Sequence, residues 1–163
     1  METLLPGVTA ERVPTGRLTV AALSVTGRAG QAVLFVHGNV SSSLFWQPTM
    51  LALPGRYRPL AIDLRGFGDT DPEPVDATRG VRDYADDLAA VIDALGLASV
   101  HLVGWSMGGG VVLQYLVDRP GRHARQFVWY LRGLRPSELP AVARYVERPG
   151  AGEQALLVLE GPQ

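Results

Sequence analysis

The chain has 163 residues, 47% hydrophobic and 19% charged, which predicts about one domain with a buried core. Its formal net charge is -1, from 15 basic and 16 acidic side chains, so no nucleic acid or anionic membrane is expected as its main partner. There is no lysine and no cysteine. A P-loop and a pyridoxal Schiff base need lysine, so both are excluded, together with disulfides, thiolate catalysis and cysteine-ligated metal sites.

The remaining composition predicts a soluble cytoplasmic protein. The three histidines, His37, His101 and His123, show no metal-ligand spacing, so neither a metal nor a cofactor is expected. No apolar run approaches the roughly 18 residues that a membrane span needs. Residues 1–7 lack the basic segment followed by an apolar one that marks a secretory signal. The oligomeric state is left open.

Short apolar runs alternate with helical patterns along most of the chain. The predicted strands are residues 18–25, 32–36, 59–62, 100–103, 126–131 and 155–159, and the predicted helices are 42–53, 81–95, 107–118 and 137–146. This alternation predicts an α/β fold, a mostly parallel sheet with helices on both faces. Residues 1–17 show no period and predict a loose N-terminal arm. Residues 132–163, rich in glycine and proline, are a poorly specified tail.

The sharpest motif is a Gly-Trp-Ser-Met-Gly pentapeptide centred on Ser106, between an apolar strand and an apolar helix. In the G-x-S-x-G pattern, the serine occupies a sharp, strained strand-to-helix turn. The residues two before and two after it come close together, which explains Gly104 and Gly108. The glycines at 109–110 are expected to let the helix approach the sheet. The helix N-terminus beneath Ser106 favours developing negative charge there.

A second motif, His37-Gly38-Asn39, follows the predicted strand 32–36. An acyl-transfer enzyme needs two backbone N–H donors about 3 Å from the oxyanion. Met107 N–H, directly after the serine, and Asn39 N–H are the predicted donors. His37 is expected to be structural. The glycine-containing loop 63–71 is likewise expected to support the fold, and proton transfer is not assigned to its first residue, Asp63.

Together these segments stand in the order and spacing of the alpha/beta-hydrolase family, and the chain resembles its esterase-like branch over about residues 18–131. That range is therefore predicted to be the N-terminal part of such a domain, between the arm and the tail. The resemblance implies that Ser106 is the nucleophile and that the amides of Asn39 and Met107 form the oxyanion hole. It also implies a small-molecule substrate, an ester or similar acyl compound, and an acyl-enzyme. A serine rather than an aspartate at the elbow argues against the epoxide-hydrolase and haloalkane-dehalogenase branches.

The family's triad follows the chain order serine, acid, histidine. The only histidine after Ser106 is His123, and the only acid between them is Asp118. A helix rises about 1.5 Å per residue, so the far end of the helix 107–118 lies about 16 Å from the serine, and His123 follows at the opposite edge of the sheet. His101 precedes the serine by five extended residues, which is again about 16 Å. The triad acid and histidine are therefore predicted to be missing, and turnover to be slow or undetectable.

Two explanations of the missing residues remain open. The chain is an N-terminal fragment, or its tail, with seven arginines among residues 119–163, comes from a shifted reading frame. An alternative function is a non-catalytic module of the same fold that binds a small ligand or a partner chain. A dinucleotide-binding domain is a weaker alternative, because the glycine spacing differs from G-x-G-x-x-G. Phe45, Trp46 and Trp105 either line an apolar acyl pocket or pack in the core.

Overall fold

A computed structural model describes residues 3–119 with their side chains, and the backbone of residues 126–131 and 154–159. Five strands form one sheet in the spatial order β1-β2-β4-β3-β5. They are β1 (Val8–Pro14), β2 (Thr19–Val25), β3 (Gln31–Val36), β4 (Tyr57–Ile62) and β5 (Val100–Gly104). β3 pairs in parallel with both β4 and β5, and β2 is antiparallel to both β1 and β4. The predicted α/β fold is confirmed.

β3 is buried on both faces, which explains why its sequence is apolar without alternation. Successive side chains of a strand point to opposite faces of the sheet. Leu34 and Val36 pack in a cluster with α2 (Arg82–Ala94) and α3 (Met107–Asp118). Val33 and Phe35 pack on the other face, in a cluster that includes Met50 of α1 (Gln47–Ala52). Helices therefore cover both faces of the sheet, as predicted.

The N-terminal region differs from the prediction. Residues 1–17 were expected to form a loose arm, but Val8–Pro14 pairs with β2 along its whole length, from Val8 opposite Val25 to Pro14 opposite Thr19. Only Val8 and Val13 of this strand are buried, so the regular alternation of a half-buried strand is absent. β1 is an edge strand of the sheet, and its cross-strand pairing, not its hydrophobic pattern, defines it.

The helix predicted over residues 42–53 is also divided. A 3-10 turn covers Ser43–Trp46, and the α-helix begins only at Gln47 and ends at Ala52. Pro48 lies in the first turn of α1. Proline has no N–H to donate and is accommodated in the first turn of an α-helix but not in its interior. One continuous helix across this position is therefore not formed.

The carboxyl ends of three strands meet at one edge of the sheet. Val36, the last residue of β3, is paired with Ile62 at the end of β4 and with Gly104 at the end of β5. The segments that follow these strands begin with His37, Asp63 and Trp105. All three predicted motifs therefore lie at the same edge, where ligands bind in open α/β sheets.

Two further strands pair with each other in parallel, β6 (Gln126–Leu131) and β7 (Gln154–Leu159). The strands predicted over 126–131 and 155–159 are thus confirmed. The helix predicted over 137–146 and the residue His123 lie outside the described residues, and the boundary between domain and tail at residues 131–132 stays a prediction. In the part of the chain that the structure describes, no helix has both the length and the apolar character that crossing a membrane requires.

Candidate active site

Ser106 occupies the strained turn that the pentapeptide predicts. It lies between β5 and α3 with φ 53° and ψ -118°. A positive φ is uncommon for any residue other than glycine, and a non-glycine residue held there usually marks a functional constraint. The N–H of Trp105 donates a 3.0 Å hydrogen bond to the carbonyl oxygen of Val36, which fixes the turn to the end of β3.

Close backbone contacts explain two of the motif's glycines. A Cβ on Gly104 would lie 2.4 Å from the carbonyl oxygen of Gly108 and 2.6 Å from the nitrogen of Gly109. A Cβ on Gly108 would lie 2.4 Å from the carbonyl oxygen of Val36. The predicted approach of the flanking residues is confirmed, and the contact of Gly108 with β3 adds a second reason. The expectation that Gly110 lets the helix approach the sheet is wrong, because nothing lies within 4 Å of a Cβ built there.

The loop after β3 lies directly against the serine. A Cβ on Gly38 would lie 3.1 Å from Cβ of Ser106 and 2.9 Å from Cε3 of Trp105, so only a glycine allows this approach. Within residues 3–119, the backbone N–H groups of Asn39 and Met107 donate to no protein acceptor. Unpaired backbone donors beside a nucleophile are the chemical requirement of an oxyanion hole. The structure brings the two predicted donors to the loop and the turn that meet at Ser106.

Val40, next along this loop, is strained in a way that no feature of the sequence indicated. Its φ is 53°, which is costly for a β-branched side chain, and the side chain is 91% exposed. Its N–H donates to Oδ1 of Asn39 at 3.0 Å. The backbone around the predicted oxyanion donor is therefore held away from its preferred conformation.

His37 is buried and fully hydrogen bonded, as expected of a structural residue. Its Nε2 lies 2.9 Å from the N–H of Leu64, which can only donate, so Nε2 is the acceptor. Nδ1 then carries the proton and donates to the carbonyl oxygen of Gly38 at 2.7 Å. Burial lowers the pKa of His37 below its usual value, against smaller opposing effects of Gly38 and Asp63. The imidazole is therefore neutral and has no nitrogen available for proton transfer.

Asp63 anchors the glycine-containing loop, which is the supporting role expected for it. One carboxylate oxygen accepts the N–H of Ser43 at 2.6 Å and the other accepts the N–H of Asp69 at 3.1 Å. Gly68 has a φ of 51°, and a Cβ there would overlap the carboxylate of Asp63. The carboxylate thus connects the start of the 3-10 turn with the loop after β4.

The described residues place no imidazole beside Ser106. His37 has both nitrogens engaged. His101 lies within β5, five residues before the serine, and its ring packs edge-on against Tyr57 with centroids 6.1 Å apart. Asp118, the last residue of α3, accepts a 2.8 Å hydrogen bond from Gln114 at the end of the helix remote from the serine.

A cavity of about 640 Å³ opens beside the loop that follows Asn39. Its lining includes no charged side chain among the described residues: Thr3, Val40, Ser41, Ser42, Leu44, Phe45, Gln47 and Phe67. Phe45 stacks on Trp105 with centroids 4.7 Å apart and planes 12° apart. Trp46 is only 1% exposed and belongs to the core. Of the three aromatic residues considered, Phe45 therefore lines the cavity and Trp46 does not.

Within the described ranges, no three side chains of histidine, aspartate or glutamate are grouped so that they could hold a metal ion. The structure brings a serine hydroxyl close to backbone donors that have no partner among the described residues, and the cavity adjoins the same loop at Val40. This arrangement can attack an electrophilic carbonyl carbon and stabilise the negative charge that develops on its oxygen.

Comparison with known families agrees with this arrangement. The family model described as alpha/beta hydrolase fold matches residues 31–125, which include the loop after β3 and the turn at Ser106. The chain belongs to the alpha/beta hydrolase fold family. It resembles the putative carbamate hydrolase RutD of Variovorax paradoxus, with 41% identity over 58% of this chain and 36% of the relative. It also resembles the carboxylesterase YbfK of Bacillus subtilis, with 33% identity over 60% of this chain and 32% of the relative.

The chain is also similar to proteins named as epoxide hydrolases, one of them a solved structure and one a curated relative. Epoxide hydrolase VrEH1 from Vigna radiata superposes with a TM-score of 0.68 at 25% identity, over 88% of this chain and 51% of that one. Epoxide hydrolase 2 of Siraitia grosvenorii is 38% identical over 58% of this chain and 30% of the relative. The chain thus spans about a third of the length of the curated relatives it matches.

Proposed function

We propose that this chain carries the nucleophile and the oxyanion hole of a serine hydrolase that acts on an ester or similar acyl substrate. The observation that carries the proposal is the conformation of Ser106, held at a φ of 53° with the loop at Gly38 packed against its Cβ. Such strain persists only where the surrounding structure enforces it. An ordinary strand–turn–helix connection has no need of it.

The proposed reaction has two steps. The Oγ atom of Ser106 attacks the acyl carbon, and the N–H groups of Asn39 and Met107 stabilise the resulting oxyanion. When the tetrahedral intermediate collapses, the bond from the acyl carbon to the leaving alcohol breaks, and the alcohol departs with a proton. Water then cleaves the serine ester, which releases the acid and restores the hydroxyl.

The described residues supply no general base, so turnover by this chain alone is proposed to be slow. Where a triad is removed from a serine hydrolase, the oxyanion hole and substrate binding leave about 10³–10⁴-fold catalysis over water. We propose the same limit here, because both nitrogens of His37 are engaged and His101 lies five residues back along β5.

The relatives include proteins named as epoxide hydrolases as well as a carboxylesterase. We favour the acyl substrate because the nucleophile position holds Ser106, whose hydroxyl forms an ester with an acyl group, and because two free backbone donors adjoin it. A non-catalytic binding module is the second candidate. The lack of a general base among the described residues favours the binding module, whereas the strained conformation of Ser106 favours the hydrolase.

The test is covalent labelling of the intact chain with an alkyl fluorophosphonate, followed by peptide mass spectrometry. We expect one adduct, formed slowly because no base activates the hydroxyl, on the peptide that contains Ser106, and none in Ser106→Ala or in the heat-denatured chain. Equal labelling of the alanine variant would refute the proposal. Absence of labelling from the folded wild-type chain would favour the binding module. Rapid hydrolysis of a p-nitrophenyl ester that is lost in Ser106→Ala would contradict the proposal that this chain lacks a general base.

A further inference from the structure

Gln47 is a buried polar residue in the wall of the cavity, and its amide orientation is fixed. The residue is only 5% exposed and lies at the start of α1. Its Oε1 accepts the N–H of Leu5 at 2.7 Å. A backbone N–H can only donate, so this contact assigns the oxygen and nitrogen of the side-chain amide. The NH₂ group must point away from Leu5.

That NH₂ group has no hydrogen-bond partner in the described part of the chain. Among residues 3–119, Nε2 of Gln47 donates to no acceptor. The atom is not fully enclosed by protein, because it is absent from the set of enclosed polar atoms without a partner. It therefore keeps contact with the cavity that Gln47 lines. A donor that faces the cavity can exchange water for an acceptor on a bound ligand, and a ligand without an acceptor there would leave the NH₂ group unpaired.

The surroundings of this donor define what it can bind. The cavity volume of about 640 Å³ lies in the range of small-molecule sites. Phe45 and Phe67 contribute apolar surface, Thr3, Ser41 and Ser42 contribute hydroxyl groups, and none of the described lining residues is charged. Polar groups in a pocket fix the orientation of a ligand. The complement of this cavity is an uncharged group that combines apolar surface with hydrogen-bonding oxygen, of which the Gln47 NH₂ group requires an acceptor.

Two residues of the cavity wall adjoin the segments around the proposed nucleophile. Val40 lines it and directly follows Asn39, the proposed oxyanion donor. Phe45 lines it and stacks on Trp105, the residue before Ser106. A group bound in the cavity therefore lies beside the loop and the turn where the acyl carbon would be attacked.

We infer that Gln47 is a specificity-determining residue, whose NH₂ group donates to a carbonyl or ether oxygen in the uncharged part of the substrate that occupies this cavity. The substrate class is thus a neutral acyl compound with a second oxygen acceptor away from the reacting carbonyl. This inference rests on the proposed function for the identity of the reaction, but the binding it describes does not require a reactive Ser106.

The first measurement is independent of catalysis. The side-chain NH₂ signals of the ¹⁵N-labelled chain are followed by NMR during titration with N,N-dimethylacetamide, which carries an acceptor and no donor. We expect the Gln47 signal, assigned from its loss in Gln47→Glu, to shift in a saturable way. Gln114, whose NH₂ donates to Asp118 on α3, is the internal reference and should not shift. An unmoved Gln47 signal, or equal shifts of both, overturns the inference.

The second measurement compares two fluorophosphonates of equal chain length, one with an ether oxygen in place of a methylene group. We expect Ser106 of the wild-type chain to react about tenfold faster with the ether probe, because one hydrogen bond is gained. In Gln47→Glu the carboxylate still accepts from Leu5 but offers no NH₂, so the preference should disappear. Gln47→Met, checked for an unchanged backbone NMR spectrum, should also lose it.

These outcomes separate the two ideas. A shift of the Gln47 signal without any labelling of Ser106 refutes the proposed function and supports the binding role. Labelling of Ser106 without preference between the probes, and without a shift, refutes the role of Gln47 and leaves the hydrolase proposal intact. A preference for the ether probe that persists in both Gln47 variants also refutes the role of Gln47.

Discussion

The N–H of Leu64 donates a 2.9 Å hydrogen bond to Nε2 of His37, and so joins the loop after β3 to the segment after β4. Since Nδ1 donates to Gly38 at 2.7 Å, this ring also holds the start of the proposed oxyanion loop. A protonated ring could not accept from Leu64. The contact therefore depends on the neutral imidazole, which burial favours by lowering the pKa of His37.

The free energy of unfolding is expected to fall as the pH is lowered through the range where His37 titrates. The unfolded chain binds the proton near the ordinary histidine pKa of about 6.5, and the folded chain only at lower pH. Between these two pKa values the unfolded state holds more protons, so the free energy of unfolding falls as pH falls. The measurement is urea unfolding at a series of pH values from 8 down to 5 (about one midpoint per half unit).

The matched variant is His37→Gln, because a glutamine amide offers one donor and one acceptor but does not titrate. We expect a lower overall stability and a smaller decrease between about pH 6.5 and 5. The carboxylates whose pKa values are lowered, Asp71, Asp76 and Asp86, titrate at more acid pH and leave this window unaffected. An identical pH slope in the two proteins would contradict the assignment.

Gly104→Ala should strongly destabilise the chain. The new Cβ would lie 2.4 Å from the carbonyl oxygen of Gly108, and backbone atoms cannot move away cheaply. We expect a loss of about 3 kcal/mol or more, in the range of severe overpacking. The free energy of unfolding in urea, measured by circular dichroism, provides the check.

Gly110→Ala is the control on the same helix. Nothing lies within 4 Å of a Cβ built on Gly110, and alanine is the better helix former by about 0.5–1 kcal/mol. This variant should therefore be more stable than the wild-type chain. Similar losses in both variants would show that the close approach at Gly104 is not what fixes the elbow.

Ser106→Gly should stabilise the chain while removing the nucleophile. A φ of 53° with a ψ of -118° is strained for serine and accessible to glycine, so relief of strain should contribute about 1 kcal/mol. Ser106→Ala also lacks the hydroxyl but retains a Cβ, so its stability should stay within about 0.5 kcal/mol of the wild type. If urea midpoints place the glycine variant at or below the alanine variant, the turn stores no strain.

Asp87→Asn should be among the most damaging changes away from the proposed site. Asp87 accepts two 2.7 Å hydrogen bonds from the guanidinium of Arg65, and both side chains are buried. Removing one charge leaves the other buried and unpaired, which costs about 3–5 kcal/mol. Arg82→Ala, which breaks a 3.6 Å pair between the exposed Arg82 and Asp118, should cost less than about 1 kcal/mol. Equal urea midpoints for the two variants would contradict this contrast.

The sequence predicted the parts of the fold that rest on local apolar runs and on glycine. β3, α2 and the turn at Ser106 are where the pattern places them, because burial on both faces and close backbone contact leave few residue types possible. β1 was missed because only Val8 and Val13 point into the core. The division at Pro48 was missed because the apolar spacing alone continues past it.

The candidate site was predictable only in its backbone framework. Ser106 and Gly38 belong to motifs whose spacing has a steric reason. Val40 and Gln47 do not, since a positive φ and an unpaired NH₂ group arise from the tertiary arrangement around them. The cavity wall combines the N-terminal segment at Thr3 with the 3-10 turn at Phe45, which are far apart in the chain and joined only by folding.

Val36 pairs with both Ile62 and Gly104, so the position of the loop after β3 and of the turn after β5 depends on strand pairing and not on the cavity wall. Strand pairing holds the segments that begin at His37 and Trp105, whereas the cavity wall is built from Thr3, Val40, Phe45, Gln47 and other residues outside the paired strands. Under the proposed function, Thr3 and Gln47, which neither adjoin Asn39 nor stack on Trp105, are therefore the wall positions at which a substitution alters substrate choice without acting on the segments around Ser106. A change within the paired strands instead moves both segments together.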